Sequence, residues 1–143
     1  MNGCLRSAAE WRLLARGLVI MTGAVVFTRT LPFAAWKALG LRIARVRPAL
    51  HAEGSRLSPV QIVRAVDSAS RVVPGGGNCL ARALTGRALM AYHGYASELV
   101  MGVAKGSSGA FRSHAWLRHE GDMLLGAQGV SGFEPMPDLA DRL

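Results

Sequence analysis

The sequence predicts an α+β fold, with helices first and a small antiparallel sheet after them. Three observations carry this expectation. Apolar residues recur at helical spacing as far as Tyr92. Beyond Gly94, "SELVMGVAK" and "AFRSHAWLRH" read as strands joined by the loop "GSSG". No internal repeat or low-complexity tract interrupts the 143 residues, a length that suits one domain.

The first helix is expected over residues 8–27, where Trp11, Leu14, Leu18 and Met21 fall one turn apart. Its stretch 17–28 is uncharged between Arg16 and Arg29. Twelve residues are too few for a bilayer, which needs about 20. The stretch has the outline of a signal-peptide core, with Arg6, Arg12 and Arg16 ahead of it. No small-x-small cleavage site follows, however, and the apolar pattern resumes at Leu31. A buried or interfacial helix is the expectation.

Residues 31–41, "LPFAAWKALGL", read as a short second helix with Pro32 in its first turn. Residues 42–57 are basic, contain Pro48 and Gly54, and read as a linker. The third helix opens on a strong local signature. Ser58 is a good N-cap, Pro59 suits the first helical position and Gln61 completes a capping box. Ile62, Val66 and Ala69 form its apolar stripe, and "PGGG" breaks it. The fourth helix runs from about Asn78 to Tyr92, with Gly94 as its C-terminal cap. A tight turn at "EGD" then leads into a third strand, "MLLGAQ". The tail 132–143, with two prolines, is expected over the edge of the sheet. The division expected is a basic helical region, 1–57, and a compact domain, 58–143.

Half the residues are apolar, enough for a sizeable core. Cys4 and Cys79 are the only cysteines, so a disulfide framework is excluded and a reduced, cytoplasmic chain is expected. The net charge of +8 is unevenly placed. Residues 1–74 hold 11 Lys/Arg against 3 Asp/Glu, and residues 75–143 hold 6 against 6. The basic excess is either an ordinary solvated face or a docking surface for an acidic partner or membrane. Nucleic acid is disfavoured, because aromatic residues do not interleave with the basic ones. The chain has no CxxC, HExxH, GxGxxG or Walker-type loop, so no metal and no cofactor is expected.

The stretch "GGGNCLARAL", residues 75–84, is where chemistry is expected. Thiol chemistry needs thiolate, and the first turn of a helix favours an anion through its unsatisfied N–H groups and dipole. The glycines would let a substrate backbone approach. The alternative is that Cys79 is a small buried thiol. A nucleophile needs a base, and His51, His93, His114 and His119 are the only histidines. His51 lies in the linker, His93 caps a helix end and His119 adjoins a turn. His114 sits inside a strand between Ser113 and Ala115, where another element can pack closely. It is either a structural histidine or the base of a thiol–imidazole pair. Arg82 and Arg87 read either as carboxylate binders or as a solvated helix face.

Cys79, Leu80, Arg82, Ala83 and Leu84, then Gly94, then His114, Ala115 and Trp116 form an ordered set, with 35 residues from Cys79 to His114. This set resembles the transglutaminase-like leader peptidases of lasso-peptide biosynthesis. The resemblance spans roughly residues 58–128. It implies a papain-like core and a Cys-His-Asp triad in which Cys79 and His114 are the first two members. It implies a cysteine peptidase that removes the leader from a ribosomally made precursor peptide. Its implied partners are a small leader-recognition protein and an asparagine-synthetase-like lasso cyclase. Two other readings stand beside it: a non-catalytic peptide-binding module on the same fold, and a basic membrane-surface module, the less favoured role for residues 1–57.

One position departs from the family pattern. Where the family carries Asp, about twelve residues after the histidine, this chain has Gly126. With a three-residue turn at His119–Gly121, Gly126 falls opposite His114. Asp122 then falls opposite Arg118, roughly 13 Å along the strand. Gln128 falls diagonally across from His114, within reach of an amide carbonyl. Gln128 is therefore the expected third catalytic residue. The alternatives are a Cys-His dyad, an acid from the tail such as Glu134, or a degenerate enzyme.

Overall fold

The computed structural model describes residues 7–30 and 57–136. Within them lie three helices and four strands: α1 (Ala8–Thr30), α2 (Pro59–Val72), α3 (Cys79–Tyr92), β1 (Glu98–Lys105), β2 (Phe111–His119), β3 (Asp122–Leu125) and β4 (Glu134–Pro135). The α+β arrangement expected from the sequence is the one found. The helix expected at 31–41, most of the linker, the end of the tail, Cys4 and His51 fall outside the described residues.

The two helices nearest the site start where their caps say they must. The Ser58 hydroxyl accepts from the Gln61 amide at 3.3 Å, and the Gln61 side chain accepts from the Ser58 amide at 2.9 Å. This closes the capping box, with Pro59 following it. Asn78 caps α3 by accepting from the Leu80 amide at 3.0 Å. At the other end His93 is the C-cap, and Gly94 takes the left-handed conformation that stops the helix.

Burial of side chains from every layer holds these elements together. Leu13, Met21, Ile62, Val66, Leu89 and Leu117 are fully buried, drawn from α1, α2, α3 and β2. Each such residue contributes roughly 1.5–3 kcal/mol relative to exposure. Helix α1 buries one stripe, Leu13, Gly17, Met21 and Val25, one residue per turn. The described part of the 1–57 region thus shares its core with α2 and α3.

The sheet order is β3-β2-β1-β4, all neighbours antiparallel. Strand alternation divides its residues between two faces. Leu99, Met101, Ala115 and Leu117 pack with the helices. Val100, Gly102, His114 and Trp116 take the other face, where Gly102 pairs with His114 and Val100 with Trp116. The tail does meet the sheet edge, as β4, opposite Gly102 and Val103. A proline is tolerated on such an edge strand.

The β2–β3 register differs from the sequence expectation. The turn has two residues, Glu120 (φ 50°) and Gly121 (φ 89°), both left-handed as a tight primed hairpin requires. His119 pairs with Asp122 and Arg118 with Met123, then a bulge shifts the ladder so that Leu117 pairs with Leu125. The strand ends there, and Gly126 is not in the ladder at all.

Candidate active site

Three glycines lead from α2 to Cys79, and they are not equivalent. Gly75 has φ 81°, and a Cβ there would meet the Arg29 guanidinium at 2.9 Å. A Cβ on Gly76 would lie 3.0 Å from the carbonyl oxygens of Ser70 and Val73. Both are held close to their own protein and are not free for a substrate. A Cβ on Gly77 would meet nothing within 4 Å, so this exposed glycine two residues before Cys79 leaves its surroundings open.

Cys79 is the first residue of α3 and is half-buried. It packs against the cluster of Ala83, Leu84, Leu99, Met101 and Ala115, and Ala115 is the chain neighbour of His114. Helix α3 and strand β2 are thus packed neighbours, with Ala115 facing the helices and His114 facing the opposite side of the sheet. Among the described residues no hydrogen bond joins the thiol to the imidazole.

His114 is held on three sides. Its ring stacks on Trp116, with centroids 6.1 Å apart, and lies 5.4 Å from the ring of Phe133. Trp116 is only 4 % exposed. It lies flat over β1 because Gly102 has no side chain: a Cβ there would come within 2.7 Å of the indole. The third contact is the hydrogen bond from His114 Nε2 to the Gly126 carbonyl oxygen, 2.8 Å. A carbonyl oxygen can only accept, so Nε2 carries the hydrogen and Nδ1 keeps its lone pair in the neutral ring. That is the tautomer a general base requires.

The Nε2 partner is therefore a backbone carbonyl and not the side chain of Gln128. The chain leaves β3 at Leu125, and Gly126, at φ 82°, turns its carbonyl onto the imidazole. Gln128 lies beyond that turn and is exposed. The assumed three-residue turn produced the wrong register, and the orienting role assigned to Gln128 falls with it. Asp122, opposite His119, and Glu134, opposite Val103, do not bond His114 either. Gly102 carried a sequence signal, since an isolated glycine inside a strand marks close approach. The Gly126 carbonyl and Phe133 carried none.

The other candidates have structural roles. Arg82 forms an ion pair with Asp67 across α2 and α3. Arg87 is buried; desolvation lowers its pKa from the usual arginine value, and the nearby Glu98 carboxylate opposes that. His93 is a buried helix cap. His119 points Nδ1 at the Ala96 carbonyl, 2.6 Å away, beside the hairpin turn. No cluster of three or more His, Cys, Asp or Glu that could hold a metal occurs among the described residues.

A family model described as the transglutaminase-like superfamily matches residues 18–138. The chain belongs to the transglutaminase-like superfamily. Its match begins inside α1, in keeping with the place of that helix in the common core. Comparison with curated proteins and with solved structures gives no match. The transglutaminase-like superfamily includes cysteine peptidases and transglutaminases, and its core fits the helices and small antiparallel sheet found here.

Proposed function

We propose that this transglutaminase-like protein is a cysteine peptidase, with Cys79 as nucleophile and His114 as general base, that removes the leader from a ribosomally synthesised lasso-peptide precursor. The observation that carries the reading is the His114–Gly126 hydrogen bond, which leaves Nδ1 as the basic nitrogen on the strand beside the cysteine helix. The ordered set from Cys79 to Trp116 supports the substrate class by resemblance. A small leader-recognition protein would present the precursor, and an asparagine-synthetase-like cyclase would use the product. The reaction suits a reducing, cytoplasmic setting, where a lone thiol stays free.

In this mechanism His114 Nδ1 takes the thiol proton, and the Cys79 sulfur attacks the carbonyl carbon of the scissile peptide bond. The electron pair of that carbonyl moves onto its oxygen. Leu80 already donates to Asn78 and Arg82 to the Asn78 carbonyl, which leaves the Cys79 and Ala81 amides of the first turn as donors for the oxyanion. His114 returns the proton to the leaving amine, and the acylated sulfur is released by water, deprotonated at the same nitrogen. The Gly126 carbonyl keeps the ring oriented through both halves of the cycle. The space at Gly77 is the approach for the substrate backbone.

The test is mass spectrometry of a cognate precursor, with the recognition protein present. Cys79→Ala should abolish cleavage and leave the unfolding transition within about 1 kcal/mol of the parent. Cleavage at near the parental rate would exclude the mechanism. A second reading, a peptide-binding module without catalysis, is favoured by Gly126, which puts no carboxylate behind His114. It predicts precursor binding without turnover.

A further inference from the structure

The middle of helix α1 is uncharged on every side, and the described residues leave its outer side uncovered. It is the one helix among the described residues long and apolar enough, by length and composition, to cross a membrane. Only 28 % of its most apolar 18-residue window is buried within the protein. Its buried face is the Leu13–Gly17–Met21–Val25 stripe, with Leu18, Ile20, Ala24 and Phe27 partly buried beside it. A helix with no polar face needs apolar surroundings on its other sides as well. Crossing a bilayer would pull Leu13, Met21 and Val25 out of the core shared with α2 and α3. Lying along a surface would not.

The outer face has the composition of such a contact. Trp11 is 60 % exposed, Val19 73 % and Val26 54 %, with Ala15 exposed between them. Arg12 and Arg29 are exposed towards the two ends, 17 residues apart, which is about 25 Å of helix, Arg29 lying against Gly75; Arg16, also exposed, lies over the Tyr92 ring at the edge of this face. Glu10, the only acid in α1, is occupied on the protein side by the Ser7 amide and the Gln61 side chain. The face therefore presents an uncharged centre, cationic ends and no carboxylate. The wider basic excess lies in the same half of the chain. Valines suit the acyl boundary, a tryptophan suits headgroup level, and arginines pair with lipid phosphate.

We infer that the outer face of α1 rests in the plane of an anionic lipid surface and holds the protein there as a peripheral protein. The inference is independent of the peptidase reading, since Trp11, Arg12, Val19 and Val26 lie outside the site around Cys79 and His114, and Arg29 touches only Gly75 of the loop that precedes it.

The test is co-sedimentation of the full chain with phosphatidylcholine vesicles, with and without phosphatidylglycerol. The chain sediments with the anionic vesicles, and added salt weakens the binding, because charge is screened over about 8–10 Å near physiological ionic strength. Val19→Glu combined with Val26→Glu lowers partitioning roughly tenfold or more, with the unfolding temperature unchanged. Arg12→Gln combined with Arg29→Gln lowers it roughly ten- to thirtyfold on anionic vesicles only. If the Glu pair does not fold, Val19→Ser with Val26→Ser carries the same test. A chain that stays in the supernatant with anionic vesicles overturns the inference. So does a folded Glu pair that binds them like the parent. Capture of a leader-recognition protein that depends on these residues, without vesicle binding, replaces the lipid surface with a protein interface.

Discussion

Installing the acid that the family pattern places at position 126 should damage this protein. In Gly126→Asp, the new Cβ would lie 2.8 Å from the Ala115 carbonyl oxygen, 3.0 Å from Trp116 Cβ and 3.1 Å from Trp116 Cα. Two of these contacts are backbone atoms of β2, which cannot swing aside as a side-chain tip can. The residue must also hold φ 82°, which costs an L-residue roughly 1–2 kcal/mol. Overpacking against a fixed neighbour adds about 1–3 kcal/mol. The sum, about 2–5 kcal/mol, corresponds to a fall of roughly 6–15 °C in Tm for a chain of this size. Relief of the clash requires the Gly126 backbone to move away from β2, taking its carbonyl off His114 Nε2. Activity should therefore fall together with stability. Thermal unfolding followed by circular dichroism measures the first, and precursor cleavage below the lowered Tm measures the second. A Gly126→Asp variant that melts with the parent, or cleaves faster, would refute the argument that the carbonyl takes the place of the acid.

The remaining expectations are simpler. His114→Ala should slow cleavage by roughly 100- to 10,000-fold, whereas His119→Ala, at the far end of β2, should stay within a few-fold; the opposite ranking in a rate assay would relocate the base. Gln128→Ala should leave the rate within about twofold, as expected for an exposed residue past the turn, and a tenfold loss would restore it to the site. In Gly86→Ala, the Cβ would come within 2.5 Å of Leu125 Cδ1 and 3.0 Å of Leu117 Cδ2. Those are movable tips, so the cost should be about 1–3 kcal/mol, partly offset by roughly 1 kcal/mol of helix propensity. Denaturant titration reads the difference, and net stabilisation would show that the α3–sheet contact is looser than described.

Local signals were the ones the sequence transmitted well. The Ser58–Gln61 capping box and Pro59 place the start of α2 to the residue, because everything that fixes it lies within four positions. Cys79 at the start of α3 and His114 within β2 were legible for the same reason: a cap and an alternating strand each announce themselves. The turn after His119 was not. A left-handed Glu120 is uncommon, and sequence favours placing the bend on Gly121 alone. That one-residue error, with the bulge at Leu117/Arg118, displaced the neighbours expected for His114 on the β3 side. The contact that replaced Gln128 could not have been read at all, since a main-chain carbonyl is common to all twenty residues. β4 was hidden for another reason. Two residues, one a proline, carry no strand pattern, and their pairing exists only because β1 leaves an edge open beside Gly102.

A main-chain acceptor also differs from a carboxylate in what it does with protons. An aspartate behind the imidazole would itself titrate, and in acid it would change from acceptor to donor and release the ring. The Gly126 carbonyl has no proton to gain. The orientation of His114 is then independent of pH for as long as the turn stays folded.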